Sequence, residues 1–273
     1  MRKLGKSAMI GLIISLSFVI GGVISTGQAK SFWNLPSLFI IVGGTVGSFI
    51  LAFPPQRIKT LWPVMKRAFK RDKYDLKEDI LTIIRIAEIA RKEGLLPLED
   101  YIHQHTEDEF IKEGILLIVD GADEEQLRNS LEGSTYFMKK RHQKGAAMLS
   151  MIAGTAPALG LLGTYVGLIP MLNSLDDPTV LGPMMALELV SSFYGAFIAY
   201  VIFAPMAKRL KIMAQEEASR RELLIEGLAA IQQGKNPKLI KKELSAFAHI
   251  ELDEQEEAEK TNTFEAREIV NQL

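Results

Sequence analysis

Few side chains in this sequence could do chemistry, and those few stand where polar groups are costly. Thr164 lies in the run Pro157–Leu172, which carries no charge yet holds prolines, three glycines and a threonine. Glu188, Ser191 and Ser192 lie in a second apolar run, Pro178–Ala207, whose one charge is Glu188. Glu188 and Ser192 are four apart and share a helix face. Hydroxyl and carboxyl oxygens at membrane depth can replace the water around a cation. Plainer readings stand beside this one. A threonine hydroxyl can bond its own backbone carbonyl one turn back, and an acid near the outer membrane surface costs little. At the centre of a span an unpaired acid costs roughly 2.5–3.5 kcal/mol, so Glu188 should face protein or water.

Pro157, Gly160, Thr164 and Gly167 fall on one helix face. Pro157 leaves a carbonyl one turn earlier without its usual donor, which adds polarity to that face. Gly163 with Gly167, and Gly43 with Gly47, form Gly-x-x-x-Gly pairs, a spacing that lets membrane helices approach closely.

Other chemistries are poorly supplied. The absence of cysteine removes disulfides, thiolate metal sites and thiol nucleophiles. His103, His105, His142 and His249 are scattered among charged residues, so no metal site is expected. Gly22 and Gly27 have nucleotide-loop spacing, but Gln28 and Ala29 follow where Lys and Ser or Thr belong. Gly-x-Ser-x-Gly and His-Glu-x-x-His are absent. We therefore expect no enzyme, no cofactor, and an ion gradient as the energy source. A formal net charge of −1 gives no general attraction to nucleic acid.

The elements that must position these residues follow from the placement of charge. Ser7–Ala29, Ser31–Gln56 and Gly145–Leu175 are charge-free, and Pro178–Ala207 is broken only by Glu188. A crossing helix needs about 20 apolar residues, which predicts spans at 7–26, 34–53, 148–172 and 183–207. Arg2, Lys3 and Lys6 before the first run would also suit a signal peptide cleaved near Ala29, but the run is long for one. Lys and Arg crowd the flanks at 57–73, 139–144 and 208–211, whereas the other two loops hold only Lys30 and the pair Asp176 and Asp177. Both termini and the middle loop are thus expected in the cytoplasm.

The expected fold is all-α: four transmembrane helices and a helical cytoplasmic domain. Its segments are 1–55 (spans one and two), 56–147 (cytoplasmic domain), 148–207 (spans three and four) and 208–273 (a helix and a mobile acidic tail). Within 56–147, Asp75 to Glu78 suggests a capping box and Gly94 a stop. Helices are then expected over 97–105, 108–120 and from about 123, the last continuing into span three. After span four a helix should run to Gln233, and a short one from Pro237 to about Ala248.

At these residues the chain resembles a known family, the ion-conducting A subunits of bacterial flagellar stators (the MotA, PomA and MotP kind). The likeness rests on "FPPQRIK", "ARKEGLLPLED", "APALGLLGTYVGL", "LDDPTVLGP" and "SSFYGAFIAYVIFAPMAKRL", together with their order. The resemblance implies an inner-membrane homo-oligomer, five copies around two single-span B subunits (MotB, PomB or MotS type), in contact with membrane lipid. The B chain would supply an ion-binding aspartate and a wall anchor, and the A ring would push on the rotor protein FliG. Arg91 and Glu99, with Lys92 and Glu93 beside them, occupy the rotor-facing positions. Pro157 and Pro205 match two prolines tied to coupling. Thr164 matches a threonine typical of sodium-driven members, and Ser191 and Ser192 fall where those members have threonines. Glu188 departs from the pattern, which has a small apolar residue there. The implied function is conduction of Na+ (alternatively H+) coupled to torque. The alternatives are an ExbB/TolQ-like proton-driven energiser and a membrane scaffold that conducts nothing.

Overall fold

The computed structural model describes residues 6–70 and 74–250; for Lys6 it describes the backbone alone. The expected mobile tail from 251 onward and the charges at Arg2, Lys3, Arg71 and Lys73 lie outside the described residues. Among those described, the chain is helical with no strands, and four helices are long and apolar enough to cross a membrane. It divides into two compact units. One holds residues up to Asp72 and Lys140–Ala214; the other holds Lys73–Lys139 and the residues from Gln215 on.

The first unit contains the spans. Span one is the helix Lys6–Ser25. Span two begins after a short 3-10 turn, Ala29–Phe32, and runs through Leu35–Leu38, a π segment Phe39–Gly43, and Gly44–Ala52. Asn34 starts it by accepting the Ser37 N–H at 3.0 Å, with Pro36 in the first turn, where its missing N–H costs no bond. Span three lies in the helix Glu124–Leu172, whose residues from Lys140 belong to this unit and whose earlier ones belong to the other. Span four runs from Pro178 through Ala196, a π segment Phe197–Phe203, and into the helix Ala204–Gln232. The second π segment has a local cause. Pro205 offers no N–H and its ring crowds the carbonyl four residues back, so the preceding turn widens.

Two short helices, Pro55–Ile58 and Leu61–Ala68, also belong to this unit. Leu61, Val64, Met65, Ala68 and Phe69 pack on Ala146, Leu149, Met206, Ala207 and Leu210. Gly145 permits this packing, because a Cβ there would stand 3.2 Å from Val64. The compact unit around the spans thus extends to Asp72, takes in residues from Lys140, and ends at Ala214.

The second unit is built from Leu76–Glu93, Pro97–His105, Glu109–Val119, the first part of Glu124–Leu172, the last part of Ala204–Gln232, and Pro237–Ala248. Its helix ends follow sequence signals. Asp75 accepts from the N–H groups of Lys77 and Glu78, and Asp108 from those of Phe110 and Ile111. Asp123 and Gln126 cap each other reciprocally, with distances of 2.8 and 3.1 Å. Gly94, Gly121 and Gly234 stop helices at φ of 91°, 84° and 66°. Ile80, Ile83, Leu98, Ile102, Ile115, Leu127, Leu131, Leu228 and Ile240 form the apolar centre.

A buried ion cluster locks that centre. Arg220 makes two 2.6 Å bonds to Asp79 and lies 2.7 Å from Asp108, so one guanidinium joins three helix segments. Its face stacks on Tyr74 at 5.0 Å. Burial works against its charge, but Asp79 and Asp108 more than offset this and raise the Arg220 pKa above the usual range. A second fork, Arg128 to Glu226 at 2.7 and 2.9 Å, sits nearer the surface. Hydrogen bonding from Arg128 holds the Glu226 carboxyl below its ordinary value.

Candidate functional site

The site is the seam where spans three and four run antiparallel. Gly160, Gly163 and Gly167 are all buried on one stripe of span three. A Cβ on Gly163 would stand 2.4 Å from Ser191 Cβ; one on Gly167 would stand 2.7 Å from Glu188 Cγ and 2.8 Å from the Met184 carbonyl. From the other side, a Cβ on Gly195 would meet the Ala156 carbonyl at 2.6 Å and Pro157 Cα at 3.2 Å. Close approach needs these glycines, because the atoms opposite are backbone or the first atoms of short side chains. The glycine stripe therefore joins spans three and four of the same chain.

The hydroxyls divide into two sets. Ser191 is fully buried and donates to Ser37 Oγ at 3.0 Å. Ser37, equally buried, lies 2.9 Å from Asn34 Oδ1 and 3.3 Å from the Leu187 carbonyl, so its single proton has two acceptors in reach. Ser191 thus fastens span four to span two. Ser192, one residue on, points the other way and is exposed in the isolated chain. Thr164 is half-buried, and its hydroxyl donates to the Leu161 carbonyl at 2.7 Å. That is the local bond expected of a threonine in an apolar helix, and it leaves the oxygen lone pairs available as acceptors. Thr164 sits on span three between the contact of Gly160 with Ser192 and that of Gly167 with Glu188. Glu188 is half-buried, with one carboxyl oxygen buried and unpartnered. Glu188 and Ser192 thus meet span three about one turn to either side of Thr164, whereas Ser191 is closed off against span two.

The remaining predicted residues separate. Pro157 is half-buried against Gly195, and Pro205 is exposed beyond the second π segment. Gly43 and Gly47 are exposed, and a Cβ on either would meet nothing within 4 Å; their neighbour Gly44 is the packed glycine, under Leu159. Arg91, Lys92, Glu93 and Glu99 are all exposed around the Gly94 stop, beside Leu96 at 77% exposure. Among the described residues, no three His, Asp or Glu side chains converge as metal ligands would.

Sequence reasoning passed over two hydroxyls in span two. Ser37 and Thr45 are buried, and Thr45 Oγ1 has no hydrogen-bond partner among the described residues. The signal was present, since both are polar residues inside a charge-free run. Tyr194, whose hydroxyl donates to the Phe32 carbonyl, ties span four to the turn that precedes span two.

Comparison with known proteins agrees with this arrangement. The sequence profile of the MotA/TolQ/ExbB proton channel family matches residues 102–223, and the motility protein A N-terminal profile matches residues 9–94. Motility protein A of Treponema phagedenis is 36% identical over 253 residues, covering 93% of this chain and 97% of that one. The chain belongs to the motility protein A group of the MotA/TolQ/ExbB family. Two solved structures are similar throughout. The flagellar MotAB stator complex of Bacillus subtilis has 33% identity and a TM-score of 0.76, covering 86% of this chain and 93% of that one. C. jejuni MotAB has 26% identity and a TM-score of 0.78, covering 91% and 96%. As a motility protein A relative, the chain is a multi-pass channel-family protein and not an enzyme.

Proposed function

We propose that this chain is the ion-conducting A subunit of a flagellar stator in the inner membrane, with both termini cytoplasmic. It conducts Na+ past Thr164 and Ser192 and turns that flow into torque on the rotor protein FliG through the exposed Arg91–Glu99 stretch. The observation that carries this reading is the division of hydroxyls at the glycine seam. Ser191 is consumed in holding the spans together, whereas Ser192 and the half-buried Thr164 leave oxygens on the side open to another chain. A MotB-like single-span partner supplies the ion-binding carboxylate, in keeping with the two MotAB structures, and five copies of this chain surround two of the partner. Pro157 and Pro205 couple the two ends of this machinery.

The test is swimming of a stator-deficient strain carrying this chain and its partner, with sodium varied at constant membrane voltage. Thr164→Ala and Ser192→Ala should each raise the sodium needed for half-maximal speed while the protein still reaches the membrane. Sodium dependence identical to wild type in both variants refutes the assignment.

A further inference from the structure

The short helix Leu61–Ala68 has two faces, and the packing of the chain accounts for only one. Leu61, Val64, Met65 and Ala68 turn toward the ends of spans three and four. On the other side Lys59, Trp62, Lys66 and Lys70 recur at intervals of three and four, and all four are exposed. The Val64 N–H donates to the Thr60 carbonyl and the Lys70 N–H to the Arg67 carbonyl, which carries the turn of the helix past both its ends. Trp62 is 63% exposed, and the Lys66 ammonium stands 5.2 Å from its ring centroid. An exposed indole beside a lysine, on a helix at the ends of membrane spans, suits the level of the lipid headgroups.

The charge around this face is one-sided. Arg57 lies exposed just before the row, and the end of span four that packs on the helix adds Lys208 and Arg209. Arg209 is half-buried, and its Nε is shut off from solvent with no hydrogen-bond partner among the described residues. The acids among the described residues of this unit are Asp176, Asp177 and Glu188. The first two lie in the loop that joins the other ends of spans three and four, and Glu188 lies within span four. No described carboxylate of the unit therefore balances these cations. The positive-inside rule explains basic residues on this flank. It does not explain their alignment with a tryptophan along one face of a helix packed on the ends of two spans. A second copy of the chain offering the same face would set cation against cation, whereas an anionic lipid surface is complementary to it.

We propose that this face is a docking site for anionic phospholipid. Trp62 enters the boundary between headgroups and acyl chains. Lys59, Lys66 and Lys70, with Arg57 beside them, hold headgroup phosphates through charge-assisted N–H bonds. A zwitterionic headgroup offers the same phosphate but brings its own ammonium, so lipid with net negative charge is preferred. The site anchors the last part of this unit before the chain passes into the second. The inference does not rest on which ion the chain conducts.

The test uses the full-length chain in phosphatidylcholine vesicles, with Trp33→Phe so that Trp62 is the sole tryptophan. Brominated phosphatidylglycerol and brominated phosphatidylcholine, at equal low mole fraction, are compared as quenchers of its fluorescence. At low salt, quenching should show a preference for phosphatidylglycerol of about fivefold, the factor that one basic side chain near an anionic surface supplies. Lys59→Gln, Lys66→Gln and Lys70→Gln together should bring the two lipids to parity while Trp62 stays quenched by both. With the lysines intact, sodium chloride at about 1 M should remove most of the preference, a readout that decides the matter if the triple variant fails to insert. Equal quenching by the two lipids, or a preference that the triple substitution or salt leaves unchanged, overturns the proposal. Trp62 quenched by neither lipid means that protein covers the face, which also overturns it. Loss of the preference on adding inorganic phosphate at constant ionic strength would assign the row to a soluble anion and overturn the lipid site.

Discussion

The seam makes a sharp demand on Gly163. Replacing it with alanine puts a methyl group 2.4 Å from Ser191 Cβ and 2.5 Å from its Oγ, a full ångström inside the 3.4 Å at which ordinary contact begins. Ser191 Cβ is fixed by its own backbone, so no rotamer change relieves the clash and the two helices must part. The bond from Ser191 to Ser37, at 3.0 Å, stretches only about half an ångström before it fails. Overpacking of this kind costs roughly 1–3 kcal/mol, and a lost hydroxyl pair within a membrane about 0.6 kcal/mol. Gly163→Ala should therefore destabilise the chain by about 2–4 kcal/mol. Gly154 is the control: it is exposed, with nothing within 4 Å of an added Cβ, and alanine there should change stability by less than about 0.5 kcal/mol. Both are measured as thermal unfolding midpoints of the purified chain in lipid nanodiscs. Equal midpoints for the two variants would refute the argument that the glycine stripe closes the seam.

Other consequences follow from the two units. Arg220→Ala leaves Asp79 and Asp108 without their shared cation and should cost about 3–5 kcal/mol, seen as a lower unfolding temperature. Arg220→Lys should recover only part, because an ammonium cannot reproduce the two-bond fork. Glu226 has a lowered pKa in the folded chain, so its contribution is present above its unfolded value near 4.5 and is lost as pH falls through the lower folded value. Arg128→Gln should flatten that acid limb of a stability-versus-pH curve. Charge reversal at Arg91 or Glu99, both exposed, should leave the unfolding midpoint and ion conduction unchanged while slowing rotation of tethered cells.

Local signals were readable in the sequence wherever cause and effect lie close together. Asp75, Asp108 and Asp123 begin helices, Gly94, Gly121 and Gly234 end them, and long charge-free runs become spans, because each outcome depends on neighbours within a turn or two. What resisted reading was partnership at distance. Nothing in the order of residues says that Arg220 closes on Asp79 and Asp108, or that Ser191 turns inward while Ser192 faces out. Adjacent serines on a helix stand about 100° apart, so one of two must leave any given face, and only the packing of span two decides which. The Gly-x-x-x-Gly spacing likewise shows that a face is narrow without showing which helix meets it; within the chain, Gly163 and Gly167 meet span four.

The tie between Ser37 and Ser191 also bears on how the protein is made. Its two ends lie 154 residues apart, so span two enters the lipid long before its serine partner has been synthesised. Until then Asn34, three residues upstream and 2.9 Å away, can accept the Ser37 proton. Early retention of span two must therefore come from its own apolar length, and the final clasp is set only when span four arrives.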